Sequence, residues 1–171
     1  MAVAGDKPGR KWGTTELNRG YVVALAGQFQ GFCRDLHSEC GQAVVAGAPP
    51  NLQSLLAAEL TRDRQLDRGN ARAGALGADF GRFDLDFWPT LKTSDGGLEE
   101  RQKKLEELMV WRNSVAHDAP QMSPSDIATI RGTTPSRAQN SVWQTNLNVL
   151  ATAFDSVMRT EIKKLVGTAP W

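Results

Sequence analysis

Apolar residues recur every three or four positions through most of the chain. The first run is Leu17, Tyr21, Val22, Leu25, Phe29, Phe32, Cys33, Leu36, Cys40 and Val44, with Arg19, Gln28, Arg34, Asp35 and Glu39 off the stripe. Such spacing turns one helical face toward a core and the other toward water. It predicts a helix of about eight turns, capped by Thr14 or Thr15 and ended by Ala46-Gly47-Ala48-Pro49-Pro50. Asn51 then restarts the chain as an N-cap, and Leu52, Leu55, Leu56 and Leu60 carry a second helix toward Arg68-Gly69.

Residues 70–95 are less regular. Gly74, Gly77 and Gly81 weaken a helix there, while Phe80, Phe83 and Phe87 keep helical spacing. Phe83-Asp84-Leu85-Asp86-Phe87 alternates as a strand would, and the expectation is a short helix followed by a loop. After the turn Ser94-Asp95-Gly96-Gly97, Leu98, Leu105, Leu108, Met109 and Val115 define one face of a charged helix. Glu99, Glu100, Arg101, Lys103, Lys104, Glu106 and Glu107 fill its opposite, solvated face, with Glu99 and Lys103 as an i, i+4 pair. Ser123-Pro124 opens a short helix, with Ser123 as cap and Pro124 at its first position. Thr134-Pro135 repeats the device before a last long helix, whose stripe is Val142, Trp143, Leu147, Leu150, Phe154, Val157, Met158, Ile162 and Leu165, stopped at Gly167.

The fold class expected is therefore all-α, an antiparallel helical bundle with long first and last helices. A chain of 171 residues suits one domain. Residues 1–13 read as a flexible tail, 14–167 as the domain and 168–171 as a C-terminal tail. Charge narrows the partners: 20 Lys+Arg against 19 Asp+Glu leave +1, so no global basic field exists and any polyanion must bind locally. Neither a leader-like apolar segment nor a run long enough to cross a bilayer is present, so the expected location is cytoplasmic. Cys33 and Cys40 lie two helical turns apart, about 10 Å in rise, too far for a disulfide.

Chemistry concentrates in Trp111-Arg112-Asn113-Ser114-Val115-Ala116-His117-Asp118, which ends the charged helix just before Ala119-Pro120. Five residues rotate Arg112 and His117 about 140° apart on an unbroken helix. Pro120 biases the chain out of the helix, which lets His117 swing, and Asn113 shares its face at i, i+4. Arginine is a permanently charged fork for phosphate oxygens. Histidine takes and gives a proton near neutral pH. The pair suits phosphodiester cleavage. RNA carries its own nucleophile in the 2′-hydroxyl, and the sequence holds no clustered metal-ligand set, so RNA is favoured over DNA, with neither metal nor cofactor expected.

Other features weigh toward structure. His37 with Cys33 and Cys40 shares one helix face, but three ligands from one helix make a poor tetrahedral site, so buried thiols are expected and His37 is at most a minor contributor to the cleft. Asp79-Phe80-Gly81 spells a kinase tripeptide without its companions. Arg62, Arg64, Arg68 and Arg72 alternate with Asp63 and Asp67 as a solvated face would, with contact to an RNA backbone the second reading. Trp111 suits core or dimer interface, with base stacking the weaker role. Asp118, next to His117, is a further substrate-binding candidate.

Arg112-Asn113-Ser114-Val115-Ala116-His117 resembles the Arg-x4-6-His motif of the HEPN superfamily, small helical domains of toxin–antitoxin and phage-defence systems. A polar residue after the arginine, as Asn113, and an apolar pair before the histidine, as Val115-Ala116, are frequent there. Arg19 to Leu25 and Phe32 to Leu36 are similar to the opening helix of stand-alone HEPN ribonucleases. The resemblance implies a metal-independent endoribonuclease in which Arg112 holds the scissile phosphate, His117 serves as base and acid, and Asn113 orients either group. It also implies a homodimer whose two motifs meet in one cleft, which would supply the second histidine that acid and base roles require. An antitoxin or another defence-system protein is the further partner it suggests. The alternative is a catalytically silent HEPN-like module that binds nucleotide, RNA or a partner protein.

Overall fold

The computed structural model describes residues 11–117 and 122–171. The described elements are α1 (Lys11–Gly47), α2 (Pro50–Thr61), α3 (Gln65–Arg68), α4 (Ala73–Phe80), a 3-10 turn (Gly81–Phe83), α5 (Phe87–Ser94), α6 (Leu98–Ala116), α7 (Pro124–Thr129) and α8 (Arg137–Val166). No strand occurs among the described residues, and the chain is an all-α bundle with long first and last helices.

Three long helices, α1, α6 and α8, form its frame. The Asn140 side chain donates to the Asn18 carbonyl at 3.2 Å near the starts of α8 and α1, and Val166 meets Gly47 at their ends. These two helices therefore run the same way. Asp95, just before α6, lines a hollow with Val149 and Thr152, whereas Glu107 further along α6 accepts from the Trp143 indole at 3.3 Å. So α6 runs antiparallel to both, and the start of α1, the end of α6 and the start of α8 share one end of the bundle.

The stripes explain the burial. Val22, Leu25, Phe29, Cys33, Leu36 and Cys40 of α1 face Trp143, Leu147, Leu150, Phe154, Val157, Met158 and Ile162 of α8 in one core. Phe154 sits where the short helices close it, its ring 4.9 Å from Phe87, 5.8 Å from Trp88, 6.0 Å from Phe29 and 6.2 Å from Phe80. Both free thiols are buried, and desolvation raises them out of the reactive range, Cys40 to about 12.

The structure departs from the sequence reading at local breaks. Helix α1 already holds Lys11, the first described residue, so Thr14 and Thr15 lie within it and not at its cap, and Leu17 at the head of the stripe is 77% exposed. The second helix does not reach Arg68: it stops at Thr61, Asp63 takes a left-handed φ of 53°, and α3 starts afresh. The buried Asp79 carboxylate caps that new start, accepting from the Gln65 N–H at 2.9 Å and the Leu66 N–H at 2.7 Å. Residues 83–87 are no strand, because Asp84 reverses the chain at φ 58° and α5 follows where a loop was expected. Glu107 is buried, not solvated: Lys104 bonds it at 2.9 and 3.1 Å and Trp143 reaches its Oε2. Glu99 pairs with Lys92, not Lys103. Ser123 caps α7 with Pro124 next in line as expected, while Ser136, beyond Thr134-Pro135, caps α8. Gly167 ends α8 at φ 81°, and Trp171 turns back to donate to Asp155 at 3.2 Å.

Candidate active site

The second half of α6 is tied down on three sides. Trp111, in the α6 register next to the buried Val110, donates its indole N–H to Thr133 Oγ1 at 2.8 Å, which holds the turn after α7 against α6. One turn earlier, Glu106 accepts from the Ala73 N–H at 2.6 Å, so α6 fixes the start of α4. Arg72, beside that start, bridges to Asp126 of α7 at 3.0 Å and to Glu106 at 4.0 Å. Helices α4, α6 and α7 are thus locked around the motif before any ligand is considered.

Arg112 and Asn113 are brought together. Asn113 Oδ1 accepts from Arg112 Nη1 at 3.1 Å and also from the Asn70 amide, 43 residues away in sequence. This oxygen has two lone pairs and uses both. Asn113 therefore braces Arg112; its side chain does not bond His117, and the i, i+4 link between Asn113 and His117 is the backbone one, the His117 N–H to the Asn113 carbonyl at 3.1 Å.

That hydrogen bond carries the helical register through to His117, which leaves the helix at φ −107°, ψ 5°. Its imidazole is exposed. At about 100° per residue the register still points Arg112 and His117 about 140° apart, and no hydrogen bond joins the two side chains. Asp118 and Pro120 lie outside the described residues.

Several arginines at this end lack the carboxylate partner that most others have, although the exposed Arg159 of α8 also has none among the described residues. Arg34, Arg62, Arg64, Arg68, Arg72, Arg82 and Arg101 each meet a carboxylate. Among the described residues Arg112 has none, nor does Arg131 in the turn pinned by Trp111, nor Arg137 at the start of α8; the latter two are exposed. Unpaired guanidinium groups clustered at one end are a local positive field on a chain of net charge +1.

His37 stands elsewhere. It is 1% exposed, packed against Phe83 at 4.9 Å and Phe80 at 5.5 Å. Its Nε2 meets the Asp79 carbonyl at 3.1 Å and its Nδ1 the Arg64 guanidinium at 3.4 Å. An imidazole that donates to the carbonyl and accepts from the arginine is neutral, and burial together with Arg64 lowers its pKa from 6.5 to about 4. In the unfolded chain the group protonates near 6.5, so between that pH and about 4 the unfolded state binds more protons. Stability should be fully present above pH 6.5 and fall as the pH drops toward 4. Urea denaturation at pH 7 and pH 4.5 measures this, and His37→Gln should flatten the difference. No group of three or more potential metal ligands occurs among the described residues, Cys33-His37-Cys40 included.

Asn70 is the site residue that sequence reasoning missed. It sits in a loop between two short helices and acts through a partner 43 positions away; no periodicity marks such a pairing. Comparison with family models, with curated proteins and with solved structures finds no match.

Proposed function

We propose that the protein is a metal-independent endoribonuclease of the HEPN type that works as a homodimer, with a toxic or phage-defence role. The observation that carries the reading is the end of α6: an exposed imidazole one residue past the helix, a braced arginine on the preceding turn, and Arg112, Arg131 and Arg137 all lacking a carboxylate partner among the described residues.

In this mechanism His117 removes the proton from a ribose 2′-hydroxyl, and the oxygen attacks the adjacent phosphorus. Arg112 stabilises the charge that builds on the phosphoryl oxygens. The bond to the 5′-oxygen breaks, and an imidazolium protonates that leaving group, giving 2′,3′-cyclic phosphate and 5′-hydroxyl ends. The 140° divergence within one chain supports a two-fold arrangement in which the acid comes from a second copy. Size-exclusion chromatography with light scattering should show a dimer at micromolar concentration; a monomer would remove the composite site.

The direct test is incubation of purified protein with single-stranded RNA in the presence of a chelator. Cleavage should proceed, and Arg112→Ala should slow it about 10²- to 10³-fold, the cost of removing one preorganised donor to a developing charge. Cleavage only on addition of a divalent metal would end the proposal. The lack of a hydrogen bond from His117 to Arg112 favours a second reading, a silent module that binds RNA or a partner. Induced expression separates the two: growth arrest by wild type and not by Arg112→Ala supports the nuclease, and indifference to both supports the module.

A further inference from the structure

A groove of about 780 Å³ opens on the face where α3 and α4 meet α6, and its lining residue Asn70 is linked to Arg112 through Asn113. Its floor is the extended segment at Gly69 and the start of α4 at Gly74; its walls are Gln65, Arg68, Asn70 and Arg72 together with two carboxylates, Asp63 and Glu106, which meet Arg68 and Arg72. Its size lies within the range of about 300–1,000 Å³ of sites that hold small ligands.

The groove is preformed. Gln30 of α1 donates to the carbonyls of Leu66 at 2.9 Å and Gly69 at 2.6 Å, which fixes the floor from beneath. Arg72 is paired with Asp126 at 3.0 Å and lies 4.0 Å from Glu106. Arg68 differs: it is exposed on the rim and bonded to the equally exposed Asp63. Surface pairs of this kind contribute little, so an incoming phosphate can take the place of Asp63. Gln65 is exposed, and its carboxamide has no hydrogen-bond partner among the described residues. A side-chain amide offers both donors and an acceptor, which suits the edge of a nucleobase. Asn70 joins groove to motif: it lines the one and donates to Asn113, which in turn holds Arg112.

We propose that this groove seats the unpaired nucleotide next to the scissile phosphate of a single-stranded RNA, with Arg68 on its phosphate and the carboxamides of Gln65 and Asn70 on its base. The assignment rests on the nuclease reading of Arg112 and His117. Unpaired RNA is the occupant the chemistry favours, because its bases are splayed and their edges accessible.

The test separates binding from cleavage. A fluorescent single-stranded RNA with 2′-O-methyl groups throughout has no attacking hydroxyl, so anisotropy reports affinity alone. Arg68→Glu reverses the rim charge at an exposed position. Gly74→Phe fills the groove without backbone strain, since a Cβ at Gly74 meets nothing within 4 Å. Each should weaken binding about fivefold or more, the loss of one contact of ordinary strength. Arg68→Glu should also reduce the slope of log affinity against log salt by about 0.7 for a lost phosphate contact. On ordinary RNA both should raise KM with kcat little changed. Lys163→Glu, on the last turn of α8, is the control, and circular dichroism melts confirm the fold of each variant. Unchanged affinity in both variants, or no binding by wild type, overturns the groove. Cleavage by wild type alongside such a result leaves the nuclease standing. Weakened binding in the variants with no cleavage by wild type supports the groove and overturns the nuclease.

Discussion

His117→Ala should reduce RNA cleavage by about 10²- to 10⁴-fold, the contribution of a positioned acid–base group, and leave the melting temperature within a degree or two of wild type. The imidazole is exposed and makes no side-chain hydrogen bond among the described residues, so the fold loses nothing when it is removed. Arg112→Ala should act on the same step, and groups that act as a unit are not additive. The double variant should therefore be about as slow as His117→Ala alone. A product of the two separate effects would mean that arginine and histidine serve different steps. Initial rates for the four proteins on one fluorogenic RNA decide between these outcomes.

Phe154→Ala should destabilise the fold by about 3–5 kcal/mol, the cost of deleting a buried aromatic ring and leaving a cavity. Phe154 is fully buried, and the rings of Phe29, Phe80, Phe87 and Trp88 close on it from α1, α4 and α5. The contributors stand on three separate helices, so the hole cannot be filled by one side chain shifting. Chemical denaturation should show a lower midpoint with an unchanged slope, since the surface exposed on unfolding hardly alters. A loss below about 1 kcal/mol would mean that the short helices collapse onto the gap and that the cluster is not what joins them to the long frame. The active end should suffer only through the population of folded protein, because Arg112 and Asn113 are braced by Asn70 and not by Phe154.

The long elements were legible because their signal is periodic. In α1 the stripe from Val22 to Cys40 is buried, and in α8 so is the stripe from Trp143 to Ile162, with Gly167 as the stop. Such a pattern comes from repeated burial of one face and survives without knowledge of the partner helix. What could not be read depends on contacts distant in sequence. The break at Asp63 is sustained by a cap from Asp79, and the burial of Glu107 by Lys104 and the Trp143 indole. Residues 83–87 carried both periods at once, and a left-handed Asp84 resolved the conflict in favour of turn and helix. At the site, the position of Arg112 and His117 at a helix end followed from Pro120 and the stripe. That Asn113 turns to Asn70 and Arg112, leaving His117 unbraced, required the loop before α4 to be in place.

The same distinction applies to the basic residues. Alternation of Arg62, Arg64, Arg68 and Arg72 with Asp63 and Asp67 reads as a solvated helix face; all four are paired, but the helix breaks there and Arg64 is largely buried, bonded to His37 and Ser38. The unpaired guanidinium groups at the active end are scattered in sequence at 112, 131 and 137 and come to one end only because α6 runs against α8. Net charge conceals such a field, since the pairs elsewhere cancel.

Attack by the 2′-hydroxyl with imidazole as base is reported most directly by the ends of the cleaved RNA. Products formed in the presence of a chelator should carry 2′,3′-cyclic phosphate and 5′-hydroxyl ends, and an RNA with a single 2′-deoxy sugar at the scissile position should resist cleavage there. Products with 3′-hydroxyl and 5′-phosphate ends, or equal cutting at the deoxy position, would contradict it.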